Sequence, residues 1–249
     1  MDGFARFDWG QVFAMAAEAV PDHETEGAGA RPDTRRRVLS AAGEIFAERG
    51  FREATVREIC ERAGANIAAV NYHFRDKEGL YRAVFQDANV AAMERYPVER
   101  AGERGADSSA APAEQLRGYV RNFIARLLDD DGRPSWHGQL MAREMVEPTA
   151  VLDEQARDFV RPQFERLCAI VRLLLGAGAS EDAIVRSACS VAGQCLFYKH
   201  ARPMIERAMP EVRFDAAARV ELGEHIAEFS LRAMTVAGAA GDSGKGAGA

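Results

Sequence analysis

Long apolar runs, paired cysteines and alternating strands are what this sequence has least of. No stretch of its 249 residues approaches the ~18 apolar residues that a membrane span needs. The start offers no secretory signal: Arg6 is its first positive charge, Asp2 and Asp8 flank it, and no compact apolar run follows. A cytoplasmic protein is expected. Cysteine is scarce, with Cys60, Cys168, Cys189 and Cys195 making up all four. None are spaced as C-x-x-C, and Cys189 and Cys195 would point to different sides of a helix. A zinc site or disulfide framework is therefore not expected, and the four read as reduced, mostly buried thiols.

Enzyme signatures are missing as well. Lys245 is not part of a G-x-x-x-x-G-K-[ST] loop, and no H-E-x-x-H occurs. The "DDDG" from Asp129 is not a calcium loop, because its twelfth position is Leu140 rather than Glu. His137 and Glu144 would lie near one helix face, but no third group completes a catalytic set. Neither metal nor cofactor is expected.

What is present is charge, unevenly spread. The total is −6, which argues against a nucleic-acid partner until it is divided. Residues 31–77 hold ten Lys/Arg against seven Asp/Glu, whereas residues 1–30 hold one against six. The rest is also acidic, so 31–77 is the only basic segment.

That segment reads as helices throughout. "DTRRRVLSAAGEIFAERG" sets Val38, Leu39, Ala42, Ile45 and Phe46 on one stripe, with Asp33 or Thr34 as N-cap and Gly50 as the stop. Thr55 and Glu58 form a capping box for a second helix that ends at Gly64. Asn66 caps a third that runs to His73 or Phe74, and Asp76 caps a fourth, stopped by Pro97. Further helices are expected at about 113–129, 135–146, 151–175 (containing Pro162), 181–200 and 215–236. No segment alternates with period two, so the fold class is all-α. Residues 1–30 read as a flexible extension, 31–80 as a helix-turn-helix domain, 81–236 as a larger helical domain and 237–249 as a disordered Gly/Ala-rich tail.

Three short helices with a tight turn at "AGAN" describe a helix-turn-helix. In the third, Ile67, Val70 and Phe74 have the spacing of a buried stripe. Ala68, Ala69 and Asn71 fall on the other side. Small Ala68 and Ala69 allow close approach to base edges in a major groove, and Asn71 can pair with adenine. Tyr72, His73 and Lys77 suit phosphate oxygens. The helix start at Thr55 offers free N–H groups to a phosphate, and Arg57 stands one turn on. With Asn66 at the start of the third helix, the expected DNA-contacting set is Thr55, Arg57, Asn66, Ala68, Ala69, Asn71, Tyr72, His73 and Lys77.

The run from Thr34 to Tyr81 resembles the DNA-binding domain of TetR-family transcriptional regulators. The family pattern F-x-x-x-G-[FY] is met by Phe46, Gly50 and Phe51. T-x-x-x-I-x-x-x-A-G is met by Thr55, Ile59, Ala63 and Gly64. [YF]-x-[HY]-F-x-x-K-x-x-L is answered by Tyr72, His73, Phe74, Lys77 and Leu80. Asn71 departs from the family, which very often has Tyr there. "NIAAVNYHF" and the later "MAREMVEP" (Met141–Pro148) are similar to the CecR-like branch. The resemblance implies a homodimer of all-helical subunits with about nine helices each. It also implies a four-helix interface from the last two helices and release from a near-palindromic operator by a small molecule.

For the second half the residues suggest candidates rather than a site. Phe123, Leu127, Trp136, Gln139, Met141, Arg143, Gln194, Phe197 and Tyr198 are expected to line an effector pocket, being apolar or polar groups in apolar helical contexts. Ile184, Ala188, Val191 and Cys195, with Leu222, Ile226, Phe229 and Ala233, form the apolar stripes expected at a dimer interface, although core helices would show the same stripes. Two other readings share these features. One is a helical adaptor that uses the 54–77 corner to bind protein. The other is an activator with the same DNA contacts.

Overall fold

Caps and turns written into the sequence set the first helices. The computed structural model describes residues 31–96, 110–128 and 136–242. Helix α1 (Arg31–Glu53) is broken at Gly50 (φ 80°, ψ 169°), the stop expected there. Helix α2 (Val56–Ala63) begins in the capping box: Thr55 Oγ1 accepts from the Glu58 amide, and the Glu58 carboxylate accepts from the Thr55 amide. It ends on left-handed Gly64 (φ 58°, ψ 43°). Asn66 then caps α3 (Ile67–Phe74) by accepting from the Ala68 amide at 3.0 Å. Asp76 caps α4 (Lys77–Arg95) by accepting from Gly79 at 2.8 Å.

The chain continues through α5 (Pro112–Leu128), α6 (His137–Val146), α7 (Ala150–Gln155), a π-helical turn (Ala156–Val160), α8 (Arg161–Leu175), α9 (Glu181–Ala208) and α10 (Ala216–Asp242). With α7 to α8 counted as one bent rod, the described residues form nine helical segments and no strand. None of these helices is long and apolar enough to cross a membrane.

Several boundaries differ from expectation, each for a local reason. α1 starts at Arg31, so Asp33 and Thr34 lie inside its first turn rather than capping it. The rod expected over 151–175 passes through the π turn, because Pro162 has no N–H to continue the α ladder. There the Arg161 amide reaches back to the Ala156 carbonyl, and Gln163 Nε2 donates to the Phe159 carbonyl at 2.8 Å. α9 runs on through Pro203, and α10 continues along its alanine-rich end to Asp242, past the expected limit at 236. The readings made for residues 1–30 and 243–249 lie outside the described residues.

Two cores hold the helices. The first takes Val38, Leu39, Ala42, Ile45 and Phe46 from α1, Ile59 and Ala63 from α2, Val70 and Phe74 from α3, and Leu80, Tyr81, Val84 and Phe85 from α4. Leu140 of α6 and Val151 of α7 complete it, so this body is not contiguous in sequence and runs through the expected division at residue 80. The second core joins α5, α8, α9 and α10 through Leu116, Val120, Ile124, Leu167, Ile170, Ile184, Val191 and Ile226, among others.

Candidate nucleic-acid interface

α3 is amphipathic in the sense that recognition needs. Val70 and Phe74 are buried, while Ala68, Asn71 and Tyr72 face outward, Tyr72 at 81% exposure. Ile67 departs from the expected buried stripe. It is 47% exposed, because the first turn of α3 extends beyond the core that Val70 and Phe74 enter. Asn71 makes no side-chain hydrogen bond among the described residues, so its amide keeps the donor and acceptor that adenine requires. Ala69 is half-buried, and the side chain of Asn66 is spent on its cap.

The start of α2 is exposed at Thr55, and the amides of Val56 and Arg57 have no intrahelical acceptor. Thr55 donates its hydroxyl to Glu58 at 2.8 Å, and this bond above all holds the Glu58 carboxyl below its ordinary range. Arg57 pairs with Glu61 at 2.9 Å. That pair is fully at the surface, the kind that exchanges readily for a phosphate.

His73 and Lys77 are less free than expected. The His73 ring stands 5.0 Å from Tyr72, edge to face, and burial, then the nearby Arg35 charge, push its pKa down. Lys77 Nζ donates to the Arg52 carbonyl at 3.1 Å and lies 4.8 Å over the Phe51 ring, and burial lowers its pKa. It ties the end of α1 to the start of α4 instead of reaching outward as the expected phosphate contact.

Comparison with known proteins bears on both halves. Bacterial regulatory proteins of the tetR family match residues 38–84, and the C-terminal domain of the HTH-type transcriptional dual regulator CecR matches residues 112–234. CecR of Shigella flexneri is 28% identical over 170 residues, 66% of this chain and 75% of that protein. This chain belongs to the TetR family of transcriptional regulators. It falls in the CecR-like branch, and it is a DNA-binding regulator rather than an enzyme. The transcriptional repressor AcnR of Corynebacterium diphtheriae is 30% identical over 124 residues, 50% of this chain and 64% of that one. The crystal structure of HlyIIR, a hemolysin II transcriptional regulator, shares the fold with a TM-score of 0.53 at 22% identity, covering 80% of this chain and 98% of that one.

In this TetR-family chain the residues expected around an effector do not gather at one place. Trp136, Met141 and Arg143 belong to the first body, and Gln139 is exposed. Trp136 packs on α1 at Gly43, where an added Cβ would lie 2.2 Å from the indole. Arg143 donates to the carbonyls of Ala47 and Glu48, each at 2.6 Å, just before the break at Gly50. Beside it, the buried carboxylate of Glu144 accepts from Tyr81 Oη at 2.6 Å and from the amide and hydroxyl of Thr149 at 2.6 and 2.7 Å. Burial and this bond to Glu144 raise the Tyr81 pKa, so the phenol stays protonated. Sequence reasoning misses this latch; its one local signal is a tyrosine in the apolar stripe of α4. Phe123, Leu127 and Tyr198 border the second core, and Gln194 donates to Ser230 at 3.2 Å. Phe197 is 59% exposed. Tyr198 also lines an open groove of about 400 Å³ with Phe214, Leu222 and His225.

The expected dimer stripes divide. Ile184, Ala188, Val191, Cys195 and Ile226 are all buried in the chain's own core, since α9 and α10 pack on α5 and α8 through them. Burial pushes the Cys195 thiol up to about 12. Leu222 is half-buried, whereas Phe229 and Ala233 are exposed. The large outward apolar side chains of α9 are instead Val185, Leu196, Phe197 and Met204.

Proposed function

We propose that this TetR-family regulator is a homodimeric repressor that binds a near-palindromic operator and leaves it when a small-molecule effector binds. The observation that carries the switch is the seam between α6 and α1. Within the segment matched by the CecR C-terminal domain, Trp136–Gly43, Arg143–Ala47/Glu48 and Glu144–Tyr81 fasten α6 to the helices that hold the DNA-reading face. A ligand with higher affinity for a displaced α6 therefore acts directly on α1 and α4.

The dimer is supported by apolar surface left uncovered on the last two helices: Val185, Leu196 and Phe197 of α9 with Val220 and Phe229 of α10. A two-fold pair of recognition helices needs a spacing of about 34–36 Å to enter successive major grooves. A change in that spacing on ligand binding lowers affinity without altering the reading face. The name of AcnR as a repressor favours repression, and that of CecR as a dual regulator leaves room for activation at other promoters.

Selection of random duplex DNA by the purified protein, followed by sequencing, tests the reading. An inverted repeat with half-sites about one helical turn apart is expected. A single asymmetric half-site would sink the dimeric operator. Titration of candidate effectors against the selected duplex tests the switch, which fails for any ligand that leaves the binding midpoint unmoved.

A further inference from the structure

Among the described residues, arginine is almost always engaged. Arg49 pairs with Glu58, Arg62 with Glu48, Arg82 with Glu154, Arg117 with Glu228 and Arg121 with Glu224. Among the arginines whose side chains are described, Arg52 and Arg75 are the two without an ion pair, hydrogen bond or ring contact. Both are exposed. They also share a corner: Lys77, just after Arg75, donates to the Arg52 carbonyl at 3.1 Å. The end of α1, which carries Arg52, thus meets the exit of α3, which carries Arg75.

Arg75 is unusual in a second way. With φ 72° and ψ −54° it is the only non-glycine residue with positive φ among the described residues. The Asp76 amide donates to the Phe74 carbonyl at 2.9 Å, closing a γ-turn of the rare, strained hand around Arg75. The approach of α4 enforces the turn, since a Cβ on Gly79 would lie 2.1 Å from the Phe74 carbonyl oxygen. Glycine would accept this backbone without strain. An arginine here is a side chain retained against the local conformational preference. It directly follows Phe74, the last residue of the recognition helix, one turn beyond Asn71, whose carbonyl accepts the Arg75 amide at 3.1 Å.

We infer that Arg52 and Arg75 form a phosphate clamp at the exit of the recognition helix, each guanidinium holding one phosphodiester of the bound duplex. Guanidinium matches phosphate with two parallel N–H donors and stays charged at any working pH. Lys77, half-buried on Phe51, sits behind the clamp and holds its two arms together. The contacts are to backbone, so they set affinity and register without reading sequence.

The test is the salt dependence of binding to a short mixed-sequence duplex, measured by fluorescence anisotropy over a series of potassium chloride concentrations. Arg75→Gly, Arg75→Asn and Arg52→Gln each remove one cation, and glycine and asparagine both accept positive φ. Each is expected to weaken binding several-fold and to make the log–log salt slope shallower by about one. Arg75→Lys should keep the parent slope, and the thermal midpoint of Arg75→Gly should equal or exceed the parent's. Parent-like slopes in Arg75→Gly and Arg52→Gln would overturn the clamp. So would an Arg75→Lys protein that loses as much slope as Arg75→Gly.

Discussion

The body that carries the DNA-reading helices is built around aromatic rings, and the other body around aliphatic side chains. In the first, Phe46, Tyr81 and Phe85 are buried, and Tyr81 meets the rings of Phe46, Phe51 and Phe85 at 4.8, 4.8 and 5.2 Å. Such pairs fix mutual orientation as well as burying area. The Glu144 latch adds directional bonds at the same point. In the second, Leu116, Val120, Ile124, Leu167 and Ile170 fill the interior, while Tyr119, Phe123, Phe164, Tyr198 and Phe214 lie half-buried around it. The first body therefore holds one geometry. The second exposes Leu196, Phe197 and Phe229 on its last two helices.

The sharpest way to break this contrast is to truncate one ring in each body. Phe46→Ala should cost about 3–5 kcal/mol in denaturant unfolding, because it empties the centre of a closed ring cluster. Phe229→Ala, on the exposed face of α10, should change subunit unfolding by only about 0.5 kcal/mol or less. Its larger effect should appear as dissociation in sedimentation velocity. An equal loss of stability in the two variants would end the comparison.

Breaking the latch should have the next largest effect. Tyr81→Phe leaves the buried Glu144 carboxylate short of one donor, which should cost about 1.5–3 kcal/mol because the bond is to a charged group. Unfolding should be followed by Trp136 fluorescence in a Trp9→Phe background. A loss of only a few tenths would mean that the bond contributes little and that ring packing alone fixes α6 against α4.

Asn71→Ala leaves both bodies folded and tests the reading face itself. A bidentate contact to adenine is worth about 1–3 kcal/mol of discrimination. The ratio of affinities for a selected operator and a mixed duplex should fall by that amount, with binding to the mixed duplex little changed. Equal losses on both duplexes would place Asn71 on the backbone instead.

These residues also show what the sequence can tell and what it cannot. Thr55 with Glu58, Gly64, Asn66 and Asp76 are legible because each acts within a few residues of itself. Periodicity misplaces Ile67 because it finds a stripe but not the point at which the facing helix ends. Lys77 looks like a free phosphate ligand because its partners Phe51 and Arg52 arrive from the end of α1, with α2 and α3 between them in the chain. Arg143 and Trp136 look like pocket residues because nothing local says that α1 lies opposite them. The stripe of Ile184, Ala188, Val191 and Cys195 is legible as buried helix, but its own core and a partner subunit demand the same residues. The first body is rich in local signals. The second is held by generic apolar contacts between distant helices, and those leave no motif.

The smallest expected effect is a pH dependence confined to the first body. Burial and Arg35 hold the His73 pKa below that of the unfolded chain, about 6.5. As pH falls, the unfolded state therefore takes up its proton first. The stability contribution of neutral His73 is full above that pH and is lost progressively below it. His73→Gln should flatten this part of the stability curve between neutral and mildly acid pH. A variant that keeps the parent slope would mean that another histidine carries the titration, and that the ring of His73 is as open to water as that of Tyr72.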